Sequence, residues 1–114
     1  MRSVSVSHVV EGLRELSDRE FQLRVWTGRG DEGEMSSFVE AVETLYSDSG
    51  LSDALEREQV VFDENLDEDL RRLGDLVVRM DGARFTPAQI EEQDMNDVRE
   101  LAQMILTRLG DSPR

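Results

Sequence analysis

Helix-start signals recur along this chain at Ser17, Ser37 and Thr86, and most of the helical stretches they and the other turn signals delimit are short. In Ser17-Asp18-Arg19-Glu20 the serine hydroxyl can accept from the N–H of Glu20 while the glutamate reaches back to the N–H of Ser17. Leu16 and Phe21 flank that box as a hydrophobic staple, and Asp18 and Glu20 suit the positive end of the helix dipole. Ser37-Phe38-Val39-Glu40 repeats the pattern. Phe85-Thr86-Pro87-Ala88-Gln89-Ile90 adds a staple, a proline at the first helical position and a glutamine at the third. The sequence therefore predicts an all-α domain over residues 1–114, a compact irregular (orthogonal) bundle of five to seven short helices.

The apolar spacing fills in the elements. Ser7 is placed to cap a first helix carrying Val9, Val10, Leu13 and Leu16, with Gly12 weakening it slightly. The second carries Phe21, Val25 and Trp26 inward and Arg19 and Gln22 outward, and ends at Gly28 and Gly30. Trp26, the only tryptophan, reads as a core anchor. Residues 27–34 form a glycine-rich acidic connector whose Asp31, Glu32 and Glu34 would repel phosphate, and it lacks the lysine of a P-loop. A third helix sets Phe38, Ala41, Val42 and Leu45 on one face, with Gly50 as a left-handed stop and Leu51 as its apolar contact. Ser52 opens a short segment over 53–59. Asn65 is placed to cap a strong helix whose apolar set is Leu66, Leu70, Leu73, Leu76, Val77 and Met80. The last helix carries Val98, Leu101, Ala102, Ile105, Leu106 and Leu109 and stops at Gly110. Val60, Val61 and Phe62 are β-branched and aromatic, so a small two-stranded element near 60–62 is the one departure from helix that the pattern allows.

Charge narrows the partners. Twenty-six acids stand against thirteen bases, all arginine, for a formal charge of −13. Such a surface repels nucleic acid and anionic membranes and steers a basic protein toward itself. There is no cysteine, which excludes disulfides, thiolate zinc sites and cysteine nucleophiles. With no signal-like N-terminus and no membrane-length apolar run, the expected location is the cytoplasm.

Chemistry finds little foothold, and neither a catalytic residue, a metal site nor a cofactor is expected. His8, the only histidine, shares a helix face with Glu11 and Glu15 but lacks an oriented nucleophile. Asp63, Asn65, Asp67 and Asp69 alternate like calcium ligands, yet Glu68 stands where the loop needs glycine and Gly74 where it needs glutamate. The pairs Glu40/Glu43, Glu64/Glu68 and Asp97/Glu100 read as solvated helix faces. What stands out is clustering. Asp53, Glu56, Glu58, Asp63, Glu64, Asp67, Glu68 and Asp69 lie together in sequence against one base, Arg57. With Phe62 or Tyr46 as apolar anchor, that stretch fits a docking face for a basic protein; the bland reading is solubility.

Leu16-Ser17-Asp18, Phe21 to Trp26, Ser36-Ser37-Phe38, Leu45 to Leu51 and Val98 to Ala102 together resemble a group of small acidic bacterial proteins, of actinobacterial type, that look like immunity proteins of polymorphic toxin systems. The resemblance implies a helical cytoplasmic fold and a toxin-neutralising role, and it carries over no active-site residues. The expectation is thus a non-enzymatic protein-binding domain, with a structural or adaptor helical module, monomeric or homodimeric, whose acidity serves only solubility, as the alternative.

Overall fold

Val6–Ser17 forms the first helix, α1, in the computed structural model, which describes residues 4–26, 38–80 and 87–110. α2 is one α-helical turn, Arg19–Phe21, that widens into a π-helical turn, Gln22–Trp26. α3 is built the same way, Phe38–Val42 running into the π-helical Glu43–Asp48. α4 (Leu51–Glu56), α5 (Glu64–Val78), α6 (Pro87–Ile90) and α7 (Gln93–Arg108) follow. Among the described residues, seven helices and no strand make this an all-α bundle. α7 and the π-helical half of α3 cover most of α1, α5 lies against α7, and α6 bridges α7 and α2.

The core is the product of helical periodicity. α1 buries Val9, Leu13 and Leu16, α5 buries Leu66, Leu70, Leu73 and Val77, and α7 buries Met95, Val98, Ala102, Ile105 and Leu106. Spacings of three and four keep each set on one stripe. Trp26 is buried and meets Phe38 edge-on at 5.7 Å and Phe21 at 6.5 Å, joining α2 to α3. Each such aromatic pair is worth about 0.5–1.5 kcal/mol beyond its area. As the pattern indicated, Gly50 takes a left-handed conformation (φ 82°), and the Leu51 that follows it is fully buried.

The caps fall one or two residues from their expected places. Ser5, not Ser7, precedes α1; its N–H donates to the Ser49 carbonyl at 2.8 Å, which fixes where the helix can start. Ser17 is the last residue of α1, and its hydroxyl donates back to the Arg14 carbonyl. The break comes at Asp18, in extended conformation, whose carboxylate accepts from the Phe21 N–H at 3.0 Å. Asp63, not Asn65, caps α5 and accepts from Leu66 N–H at 2.7 Å. In both cases an aspartate three residues before the first apolar residue of the helix wins over a neighbouring serine or asparagine. α4 begins at Leu51 rather than after Ser52. The boxes expected at Ser37 and Thr86, and the connector 27–34, lie outside the described residues.

Three further expectations change with packing. Gln22 does not turn outward: the π-helical turn alters the register, and the side chain is fully buried. Gly12 is not a mere weak point in α1. A Cβ built there would lie 2.6 Å from Leu45 Cβ and 2.9 Å from the Leu45 Cα and N, so glycine lets α1 and α3 touch backbone to backbone. The stretch 60–62 forms no strand, because the N–H groups of Val61 and Phe62 donate to the Asp67 carboxylate at 2.8 and 3.1 Å, not to a neighbouring strand.

Candidate functional site

The acid-rich stretch folds into α4, the turn after it and the first half of α5. Arg71 joins the two helices through Nη2, which donates to the Leu55 carbonyl at 3.2 Å. The stretch then divides into two classes. Asp53, Glu56, Glu58, Asp63, Glu64 and Glu68 are exposed. Asp67 and Asp69 are buried. Asp67 is spent on the two backbone N–H groups of 61 and 62, which a carboxylate can satisfy with its two oxygens. Asp69 pairs with Arg108 on α7 and, at 3.6 Å, with Arg72, clamping α5 to α7. Both are scaffold groups, and neither presents its charge to a partner.

Of the exposed set, Asp53 is 3.4 Å from Arg57 one turn on, a solvated pair of small energetic weight. Asp63 doubles as the α5 cap. Glu64 and Glu68 follow one another along the outer face of α5. Asp63 and Glu68 are five residues apart, about 7.5 Å along the axis. That is inside the roughly 8 Å screening length at physiological ionic strength, so these charges act on an approaching ion as a group.

The two aromatic anchors also separate. Phe62 is half-buried and lines a depression of about 290 Å³ with Val60, Val61, Ala54, Val4 and Val6. Tyr46 is half-buried, and its hydroxyl donates to the Leu70 carbonyl at 2.7 Å. Burial, aided by nearby Asp75, pushes that phenol well above the ordinary tyrosine value. Tyr46 therefore belongs to the wall of a larger groove, about 520 Å³, that runs between α3, α4 and α5. Val42, Leu55, Leu70, Val77 and Val78 give it apolar walls, with Glu56 and Asp75 on its α4 and α5 sides.

Sequence reasoning missed Asp75 and Val78 in this groove. The signal was present: Val78 falls off the apolar stripe of α5, and it is 82% exposed. It also missed a buried polar network beneath α2. The Gln22 amide donates to the Glu15 and Leu16 carbonyls at 2.9 Å, closing the end of α1, and its oxygen accepts from Arg99 Nη1 at 2.9 Å. Arg99 also donates to the Ile90 carbonyl at 2.8 Å and to Asn96. Burial lowers its pKa, against the opposing pull of Glu91. This network ties α1, α2, α6 and α7 together and faces inward.

His8 is exposed at the start of α1, where Nδ1 lies 2.7 Å from the Ser5 hydroxyl three residues earlier, a local contact of the helix start. Among the described residues, no three histidine, aspartate or glutamate side chains converge as metal ligands, and no helix is long and apolar enough to cross a membrane. Comparison with protein-family models, curated proteins and solved structures returned no match.

Proposed function

We propose that this chain is a non-enzymatic protein-binding domain that covers a basic protein with the acidic side formed by α4 and α5. The observation that carries the reading is the sorting of the acid-rich stretch. Six of its eight acids are exposed against the single base Arg57, while the two buried ones are consumed by the scaffold. A chain of net charge −13 raises the encounter rate with a basic partner by about 10- to 1,000-fold at low salt. The resemblance to immunity proteins of polymorphic toxin systems points the same way, toward an inhibitor that shields the basic surface of a toxin. A cytoplasmic site of action fits a chain without cysteine.

The test is affinity capture from the native lysate with the wild-type chain and with Asp53→Arg/Glu64→Arg/Glu68→Arg. None of the three side chains holds a buried contact, so the variant keeps its fold by circular dichroism. The reading expects a basic protein retained by the wild type and released by the variant. Equal retention by both, or retention of no basic protein, refutes it.

A second reading, a homodimeric adaptor, rests on the exposed Val78 and Val60, at 82% and 66%. Light scattering across the micromolar range decides it: a strict monomer removes the homodimer.

A further inference from the structure

We infer that the groove between α3, α4 and α5 is the seat of an amphipathic, lysine- and arginine-bearing helix of the partner protein. This deepens the preceding reading and rests on it. The groove's volume, about 520 Å³, has room for a small molecule or for a few side chains of a larger guest. Its walls are apolar where α3 and α5 converge: Val42, Tyr46, Leu70 and Val77 form the interior, and Val78 carries the apolar surface out to the rim. Val78 is the most exposed large apolar side chain of the described residues, at 82%. A small enclosed ligand would leave it uncovered; a helix lying along the groove covers it.

Charge selects the occupant. Glu56 and Asp75 stand on the α4 and α5 sides, so a helix with an apolar stripe flanked by basic residues meets hydrocarbon below and a carboxylate on either hand. Arg71 also lines the groove, but its guanidinium is engaged with the Leu55 carbonyl at 3.2 Å and closes the end of α4. The tyrosine hydroxyl is likewise committed, to Leu70. Ser52 adds a hydroxyl to the lining, and the two carboxylates are the anionic groups that a basic guest meets there. A second copy of this chain is a poor guest, because it brings its own charge of −13 against the same carboxylates. Gly74 opens the middle of the groove by leaving Tyr46 as its nearest neighbour, 3.4 Å from where a Cβ would stand.

The probe is a synthetic amphipathic helix of roughly 18 residues, with leucine at the first, fourth, fifth and eighth positions of its repeat and lysine and arginine on both flanks. It is titrated into the 114-residue chain and followed by backbone amide NMR and by anisotropy of a labelled copy. Shifts are expected at Val42, Tyr46, Leu55, Gly74 and Val78. Glu56→Arg/Asp75→Arg and, separately, Val78→Asp are each expected to weaken binding by about tenfold. Glu11→Arg/Glu100→Arg, of equal charge change but outside the groove, is expected to change it by less than about threefold. All the variants alter exposed side chains, and their folding is checked by circular dichroism.

Shifts scattered over the exposed acids and equal losses for both charge variants overturn the groove assignment. So does equally tight binding of a peptide with glutamine in place of every lysine and arginine. The native partner separates this failure from that of the broader reading. If it loses affinity for Asp53→Arg/Glu64→Arg/Glu68→Arg but not for Val78→Asp, the acidic side stands and the groove falls.

Discussion

Replacing Gly12 by alanine sets two effects of opposite sign against each other, and the structure decides between them. In a helix interior alanine is better than glycine by about 0.8–1.0 kcal/mol. Against that, the new Cβ would lie 2.6 Å from Leu45 Cβ and 2.9 Å from the Leu45 Cα and N. Carbon atoms rest at about 3.5–4.0 Å, so α1 and α3 must separate by about 1 Å. The obstruction is largely backbone, which cannot rotate away as a side-chain tip could. Overpacking of this kind costs about 1–3 kcal/mol, and a backbone clash sits at the upper end. The net expectation is a loss of about 2 kcal/mol, or about 8 °C in Tm at roughly 4 °C per kcal/mol for a domain of this size.

Gly74 supplies the control, for the same substitution there meets only the Tyr46 ring and hydroxyl at 3.4–3.7 Å, ordinary contact distances. Gly74→Ala is expected to stabilise by about 0.5–1 kcal/mol. Urea denaturation of both variants, with unchanged m-values, reads the two numbers on one scale. If Gly12→Ala is as stable as the wild type, the close approach of α1 to α3 is wrong, and with it the placement of α3 over the core.

Three further expectations concern single groups. Tyr46 keeps its proton in the folded chain above the ordinary tyrosine value of about 10, whereas the unfolded chain loses it there. Stability is therefore fully present below pH ~10 and falls above it by about 1.4 kcal/mol per pH unit, and Tyr46→Phe removes that slope. Because the chain has one tyrosine, absorbance of the tyrosinate reads this group alone; a midpoint near 10 in the folded protein contradicts it. Asp67→Ala strips the acceptor from Val61 and Phe62 and is expected to cost about 1–3 kcal/mol, with faster amide exchange at those two residues. Asp69→Asn combined with Arg108→Gln in a double-mutant cycle is expected to show a coupling of about 1 kcal/mol, since Arg108 is half-exposed; no coupling removes the α5–α7 clamp.

Local signals carried the fold further than they carried the site. The stripe Leu66, Leu70, Leu73 and Val77, the left-handed stop at Gly50 and the division of the C-terminal region at α6 and α7 all follow from spacing and turn chemistry within a few residues. Caps slipped because several oxygen-bearing side chains crowd each helix start, and the backbone contact that chooses among them, such as Ser5 to Ser49, comes from a distant segment. Gly12 and Gln22 were opaque for the same reason: their roles depend on Leu45 and Arg99, 33 and 77 residues away.

The acid cluster was half legible. Asp69 lies three residues after Leu66 and four before Leu73, within the apolar stripe, so helical arithmetic marks it as inward. Arg99 is placed alike, four after Met95 and three before Ala102. Treating charge as exposure hid both. The groove required three helices to converge, and only the stray Val78 hinted at it.

Electrostatic capture of a basic protein is tested most directly by the ionic-strength dependence of association. For the basic protein retained by the wild-type chain, the association rate constant is expected to fall about tenfold or more between low and physiological salt. For Asp53→Arg/Glu64→Arg/Glu68→Arg that slope is expected to flatten. A wild-type rate that does not change with salt contradicts the account.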